Sequence, residues 1–199
     1  AAPPPIHVTV DYKPQVTIQG DPIPGQAEKF AALLRENAQV VAEHDMKAAY
    51  LYNFAHLFEW PESRRANFHI CILGDEEVGA ALQGYDEKRI NGQRMVIARL
   101  TTTTPIRLCD ILYVGAGEAV NLPKIRSMLG NQPTLTVSEK GNLQSVGITL
   151  ALENNRLLFD VNLEQCEKAN LKPKPAMLSL ARSVRKAGEG EIRAGTTSR

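Results

Sequence analysis

The stretch Lys47-Ala-Ala-Tyr-Leu-Tyr-Asn-Phe-Ala-His-Leu-Phe-Glu-Trp-Pro61 sets the architecture, because a helical pattern here meets an aromatic-proline corner and then an apolar strand. Leu51, Phe54, Ala55 and Phe58 fall at i, i+3, i+4 and i+7, so a helix gathers them into one apolar stripe. Ala48, Tyr50 and Leu57 widen it. Pro61 disfavours the α region for Trp60 and ends the helix about there. On physics alone the segment is an amphipathic core helix with a proline stop.

Beyond Pro61, apolar runs of strand length alternate with helical patterns. Residues 68–73, 94–99, 111–114 and 134–137 read as strands, and the first is apolar enough to be buried on both faces. Gly74-Asp75 offers a turn and an N-cap for a helix carrying Val78, Ala81 and Leu82. Residues 123–129 suit a short helix with Pro123 in its first turn and Gly130 past its end. Two further strands, 148–152 and 157–161, flank Asn154-Asn155, a pair that tolerates the positive φ of a tight hairpin. Helices at 163–169 and 175–186 close the pattern. The β-α-β-α order predicts an α/β fold: a Rossmann-like mixed sheet, mostly parallel, with helices on both faces and an antiparallel hairpin at one edge.

Three regions follow from this reading. Residues 1–43 form an N-terminal extension, a Pro/Gly-rich arm plus a helix patterned on Phe30, Leu33, Leu34, Val40 and Val41, which is either continuous with the next helix or broken near His44. Residues 44–187 form the α/β domain. Residues 188–199 read as a flexible tail.

At 199 residues and 43% hydrophobic content the chain has enough apolar surface for a core of its own. Lys+Arg of 23 against Asp+Glu of 22 leaves almost no net field, so neither nucleic acid nor an anionic membrane is expected as a partner. The basic residues Lys172, Lys174, Arg182, Arg185, Lys186, Arg193 and Arg199 outnumber Glu189 and Glu191 at the end of the chain, a bias that reads first as a solvated face. No apolar run reaches the roughly 18 residues that insertion into a bilayer requires. The Ala1-Ala2-Pro3 start suits a chain trimmed after a small-residue cleavage site, a hint of export.

Familiar chemistries are missing from the pattern. Gly115-Ala-Gly117 follows a strand, but position 120 is Val where a dinucleotide loop needs its third glycine, so no cofactor is expected. His7, His44, His56 and His69 are scattered, with no metal-ligand spacing, so no metal is expected either. Asp75, Glu76 and Glu77 sit at a helix start, where capping and the helix dipole account for them. There is no Gly-x-Ser-x-Gly elbow, and we expect no catalytic residues. The chain reads as a non-enzyme.

The three cysteines leave two readings open. A sheet that sets residues 71 and 111 on neighbouring strands brings Cys71 and Cys109 within bonding range and closes a loop of about 38 residues, worth about 4 kcal/mol in chain entropy. Otherwise all three, Cys166 included, are buried reduced thiols.

The block from Lys47 to Pro61 resembles the opening signature of the YfiR family. Two later stretches resemble it as well: Gly147-Ile-Thr-Leu-Ala-Leu-Glu-Asn-Asn-Arg-Leu-Leu-Phe-Asp-Val-Asn162 its closing hairpin, and Leu178-Ser-Leu-Ala-Arg182 its last helix. The resemblance spans residues 45 to about 187. It implies a periplasmic repressor that binds a membrane diguanylate cyclase of the YfiN type, lowers cyclic di-GMP output, is released by an outer-membrane lipoprotein of the YfiB type, and self-associates as a homodimer. An oxidising compartment favours the Cys71–Cys109 bridge. In that family a cysteine on the helix of Cys166 can pair with one in the preceding strand; residues 147–152 hold none, which leaves Cys166 a free thiol, buried or bonded between chains. The expected partner-binding residues are Phe159, Glu164, Glu167 and Leu178 with the exposed side of Tyr50, Asn53, Trp60 and Pro61. The alternative is a small-ligand sensor with its crevice near Gly74-Asp75 and Gly115-Ala-Gly117.

Overall fold

Helix α1 spans Glu43–His56, and every residue from Met46 to His56 is buried. The computed structural model describes residue 30 and residues 42–63, 65–187 and 191–193; the rest of the expected N-terminal arm and helix lies outside the described residues. Ala42 is extended (φ −61°, ψ 141°), so α1 begins afresh at Glu43. The apolar stripe accounts for only one of its sides. Tyr50 and Phe54 meet Phe159 and Phe30 in a ring cluster, while Tyr52 stacks on Tyr85 with centroids 4.8 Å apart. The helix is therefore enclosed all round rather than amphipathic, and each fully buried aromatic or leucine on it contributes about 2–3 kcal/mol.

The strands, in chain order, are β1 (Phe58–Glu59), β2 (Asn67–Leu73), β3 (Arg89–Ile90), β4 (Gln93–Leu100), β5 (Ile111–Val114), β6 (Leu135–Glu139), β7 (Ile148–Glu153), β8 (Arg156–Asn162), β9 (Lys172–Pro173), β10 (Ser183–Arg185) and β11 (Glu191–Arg193). The further helices are α2 (Glu76–Leu82), α3 (Leu122–Leu129), α4 (Leu163–Lys168) and α5 (Pro175–Leu180). Nine strands form one mixed sheet in the order β11-β10-β8-β7-β6-β5-β2-β4-β3, and β1 pairs with β9 in a separate ribbon. The run from β4 through β2, β5 and β6 to β7 is parallel.

Helices cover both faces. Phe68, Ile70, Ile72, Ile111, Tyr113 and Val137 turn toward α1 and α2, whereas Cys71, Leu73, Leu112 and Val114 pack with Leu122, Ile125 and Leu129 of α3. This is an α/β fold. The connections from β4 to β5 and from β6 to β7 carry no α-helix, so a regular Rossmann alternation does not emerge.

Three expectations need correction. The β7–β8 hairpin turns on Asn154 and Asn155 at φ 51° and 60°, but it is not at the sheet edge, because β10 adds in parallel along β8. The last helix stops at Leu180 rather than running to residue 186: Ala181 is extended, and the Arg182 backbone N–H donates to Phe159 O at 2.8 Å, steering the chain into β10. Within the segment read as a flexible tail, Glu191–Arg193 pairs antiparallel with β10.

One buried cation ties α1 to the sheet. Lys47 Nζ donates to Glu139 Oε1 at 2.7 Å and to Glu43 Oε2 at 2.8 Å, and Tyr113 Oη donates to the same Glu139 oxygen. Burial alone would lower the Lys47 ammonium, but hydrogen bonds and charge attraction from Glu139 and Glu43 hold it above its ordinary value of 10.5. Lys47→Met keeps the apolar stem and strands Glu139, so it should cost about 3 kcal/mol, read as a lower urea midpoint at unchanged m-value. A lysine raised in the folded state gives its full stabilisation below its unfolded value and loses it as pH rises through the folded one. The gap between variant and wild type should therefore hold from neutral pH to about 10 and close above that.

Candidate functional site

The end of α1 builds a corner that several side chains share. Trp60 Nε1 donates to Ala55 O at 2.8 Å, and Lys174 Nζ donates to His56 O at 2.9 Å, so an indole and an ammonium both serve carbonyls of the last turn. The ammonium also opposes the negative end of the helix dipole. Lys174 N–H donates to Leu57 O at 3.0 Å, continuing the β1–β9 ribbon, in which Phe58 faces Pro173 and Glu59 faces Lys172. The Trp60 ring meets Phe68 edge-on at 4.9 Å.

Past this corner lies a cleft of about 360 Å³ whose walls include Trp60, Pro61, Arg65, Phe68, Leu108 and Asp110. Leu108 is 58% exposed on its rim. Arg65 bridges the opening: Nη1 donates to Leu108 O at 3.1 Å, and Nη2 donates to Asp110 Oδ1, whose other oxygen accepts the His69 backbone N–H at 2.8 Å. Burial pushes the Asp110 carboxyl above its ordinary value, although the His69 amide and the Arg65 guanidinium pull it down. Cys109 also lines the cleft, bonded to Cys71 with Cα atoms 5.8 Å apart, so the bridge fixes the β2 strand to the turn before β5.

The structure divides the expected partner-binding residues into two groups. Tyr50, Asn53 and Phe159 are buried at 1%, 0% and 1% exposure and present nothing to a partner. Tyr50 Oη donates to Leu157 O at 2.6 Å and Asn53 Nδ2 to Ala49 O at 2.7 Å, which is how these polar atoms are accommodated in the core. Trp60, Pro61, Glu164 and Leu178 are half-buried and Glu167 is exposed. The β1–β9 ribbon brings this second group together, since α4 and α5 both pack on β9 while Trp60 and Pro61 follow β1.

Near Gly74 and Gly115, where a ligand crevice is expected, the two loops approach each other closely. A Cβ on Gly115 would collide with the Gly74 carbonyl oxygen, and one on Gly74 with the Glu118 side chain, which also accepts a hydrogen bond from Asn121 at 2.6 Å. Asp75 caps α2, its side chain accepting from Val78 N–H at 3.0 Å. Among the described residues no helix is long and apolar enough to cross a membrane, and no three His, Cys, Asp or Glu side chains gather as metal ligands.

The profile of the YfiR/HmsC-like family matches residues 44–182, more than half of the 199 residues. The chain belongs to the YfiR/HmsC-like family. The matched span holds α1, the Trp60 corner, the cleft and the disulfide; β10 and β11 lie beyond it. In this YfiR/HmsC-like chain the third cysteine is enclosed. Cys166 is buried at 1% exposure, which removes it from bonding between chains in this folded form. A Cβ on Gly147 would lie 3.4 Å from Cys166 Sγ, so the strand position facing the thiol is a glycine. Burial, then the nearby Glu167 charge, pushes this thiol up to about 12.

Leu108 and the Arg65–Asp110 pair were not among the residues singled out from sequence. Leu108 sits in a polar, threonine-rich loop with no periodicity to mark it. Replacing Cys71 and Cys109 together by alanine should remove about 4 kcal/mol of loop-closure stabilisation and lower the melting temperature by roughly 10 °C, as followed by circular dichroism. Cys166 should stay unreactive toward a thiol reagent at pH 8 in the folded protein and titrate as one free thiol in denaturant; reaction without denaturant would mean that the helix opens locally.

Proposed function

We propose that this chain is a periplasmic regulator that acts by binding rather than by turnover. It holds an inner-membrane diguanylate cyclase of the YfiN type in its inactive state and so lowers cyclic di-GMP signalling. An outer-membrane lipoprotein of the YfiB type relieves the restraint, and the repressor acts as a homodimer. The observation that carries this reading is the family match over residues 44–182. The accessible apolar side chains of Trp60, Pro61 and Leu108 around the cleft, and of Leu178 on α5, support it, because accessible apolar groups near charge suit a reversible protein contact.

The mechanism is linkage. A partner that fluctuates between active and inactive states is driven toward whichever one this protein binds more tightly, and the shift cannot exceed that difference in affinity. Turning a mostly active population into a mostly inactive one takes a differential of about 5.5 kcal/mol. A capture protein competing for the same surface reverses the shift by mass action. In a small-ligand role, the cleft beside Trp60 would offer room for the ligand in addition to the crevice near Gly74-Asp75 and Gly115-Ala-Gly117.

The test uses the intact chain and the periplasmic region of a YfiN-type cyclase. Glu167→Lys, Glu164→Lys and Leu108→Asp should each weaken the complex about tenfold or more by interferometry while leaving the melting temperature within a few degrees of wild type. Unchanged affinity in all three would remove this surface from the interface. Absence of any complex with the unaltered chain would remove the cyclase as its target.

A further inference from the structure

A second pocket, which shares Gln132 with the cleft beside Trp60, carries a different chemistry. It measures about 90 Å³, room for a few water-sized atoms, and lies between α3, β6 and α4. Arg126 enters from α3, Lys168 from α4, and Gln132, Thr134, Thr136, Ser145 and Gln165 complete the polar lining; no Asp or Glu contributes to it.

The state of each donor decides what the pocket can hold. The Thr134 hydroxyl is committed to Cys109 O at 2.8 Å, and the Gln132 amide to Arg107 O and Thr134. Thr136 Oγ1 accepts the Gly147 N–H at 3.0 Å, leaving its own proton to donate. Lys168 pairs with Glu164 at 3.3 Å, an exposed contact worth little in water. Arg126 and Ser145 make no side-chain hydrogen bond or ion pair within the described chain. Two cations, of which only Lys168 has a carboxylate partner among the described residues, and two hydroxyl donors thus line one small recess.

Complementing helix dipoles is the simpler role for these cations, since Arg126 and Lys168 lie in the last turns of their helices. The carbonyls at those ends are already served, by Gly130 N–H on Arg126 O and by Ala169 and Leu171 N–H on Cys166 O. Dipole complementarity also gives no reason for both side chains to border the same recess. A guanidinium, an ammonium and two hydroxyls are the kinds of donor that recognise an oxyanion.

We infer that the recess bordered by Arg126, Thr136, Ser145 and Lys168 binds a small oxyanion of the phosphate class. Its volume accommodates such an ion. The reading does not rest on the proposed function, although Glu164, the partner of Lys168, also belongs to the surface proposed above.

Thermal shift and calorimetry at constant ionic strength, with inorganic phosphate, glycerol phosphate and chloride as probes, test it on the intact chain. Phosphate should raise the melting temperature saturably while chloride does not. Arg126→Gln and Lys168→Gln should each weaken the phosphate response about tenfold, whereas Lys124→Gln, which removes an equal charge from the same helix away from the recess, should leave it intact. Equal or tighter binding of glycerol phosphate assigns the site to a phosphomonoester; preference for the inorganic ion assigns it to free phosphate. An equal response in all variants, or none in the wild type, overturns the inference.

Discussion

A lysine ammonium inside the protein is the constraint around which the rest is arranged. Lys47 is 6% exposed, and it is tolerated only because Glu139 and Glu43 take up its charge and Tyr113 shares the Glu139 oxygen. That requirement fixes the rotation of α1 about its own axis and its height over β5 and β6. Once those are set, Tyr50 and Phe54 must point at Phe159 and Tyr52 at Tyr85, and the ring clusters follow. Asn53 resolves its polarity by bonding back to Ala49 O, so the helix can be surrounded without stranding that amide.

Toward the β10 side of the sheet a second charged group plays a comparable role. Arg182 Nε donates to Asp160 Oδ1 at 3.0 Å, and Nη1 to Glu153 Oε2 at 2.8 Å, while Ser183 Oγ donates to Asp160 Oδ1 at 2.6 Å. Lys140 reaches the other oxygen of Glu153 at 2.9 Å. Asp160 is buried at 5% exposure, so its carboxylate draws the chain after α5 onto β8 as a strand. The disulfide fixes a third point. Together these ties fix the centre of the sheet and its β8–β10 side.

Much of this was legible in the sequence, and the failures have identifiable causes. The apolar runs at 68–73, 111–114 and 134–137 declare buried parallel strands because both faces are covered, and Asn154-Asn155 declares a two-residue hairpin. Asn91-Gly92 carries the same message, at φ 47° and 79° between β3 and β4, but β3 is only two residues long, too short for an apolar run to mark the hairpin in the sequence. The stripe on α1 could not reveal that the opposite side is buried too, since periodicity reports where apolar residues recur and not what tertiary neighbours cover the remainder. β10 hid inside an apparent helix because Leu178, Ala181 and Arg182 suit a helix locally; only Asp160, far away in sequence, decides otherwise. The Trp60 and Pro61 corner was visible, but the cleft beside it needs Arg65, Leu108 and Asp110, which no spacing rule connects.

The Trp60 corner has a mechanical meaning. The indole and the Lys174 ammonium grasp neighbouring carbonyls of one helical turn, so the outermost aromatic of this region is joined by a single hydrogen bond to the innermost helix of the protein. There is no compliant loop between them to absorb a tug. Anything that grips the tryptophan loads the final turn of α1 directly, and because that helix is close-packed on every side, the strain has to be shared by the sheet beneath it.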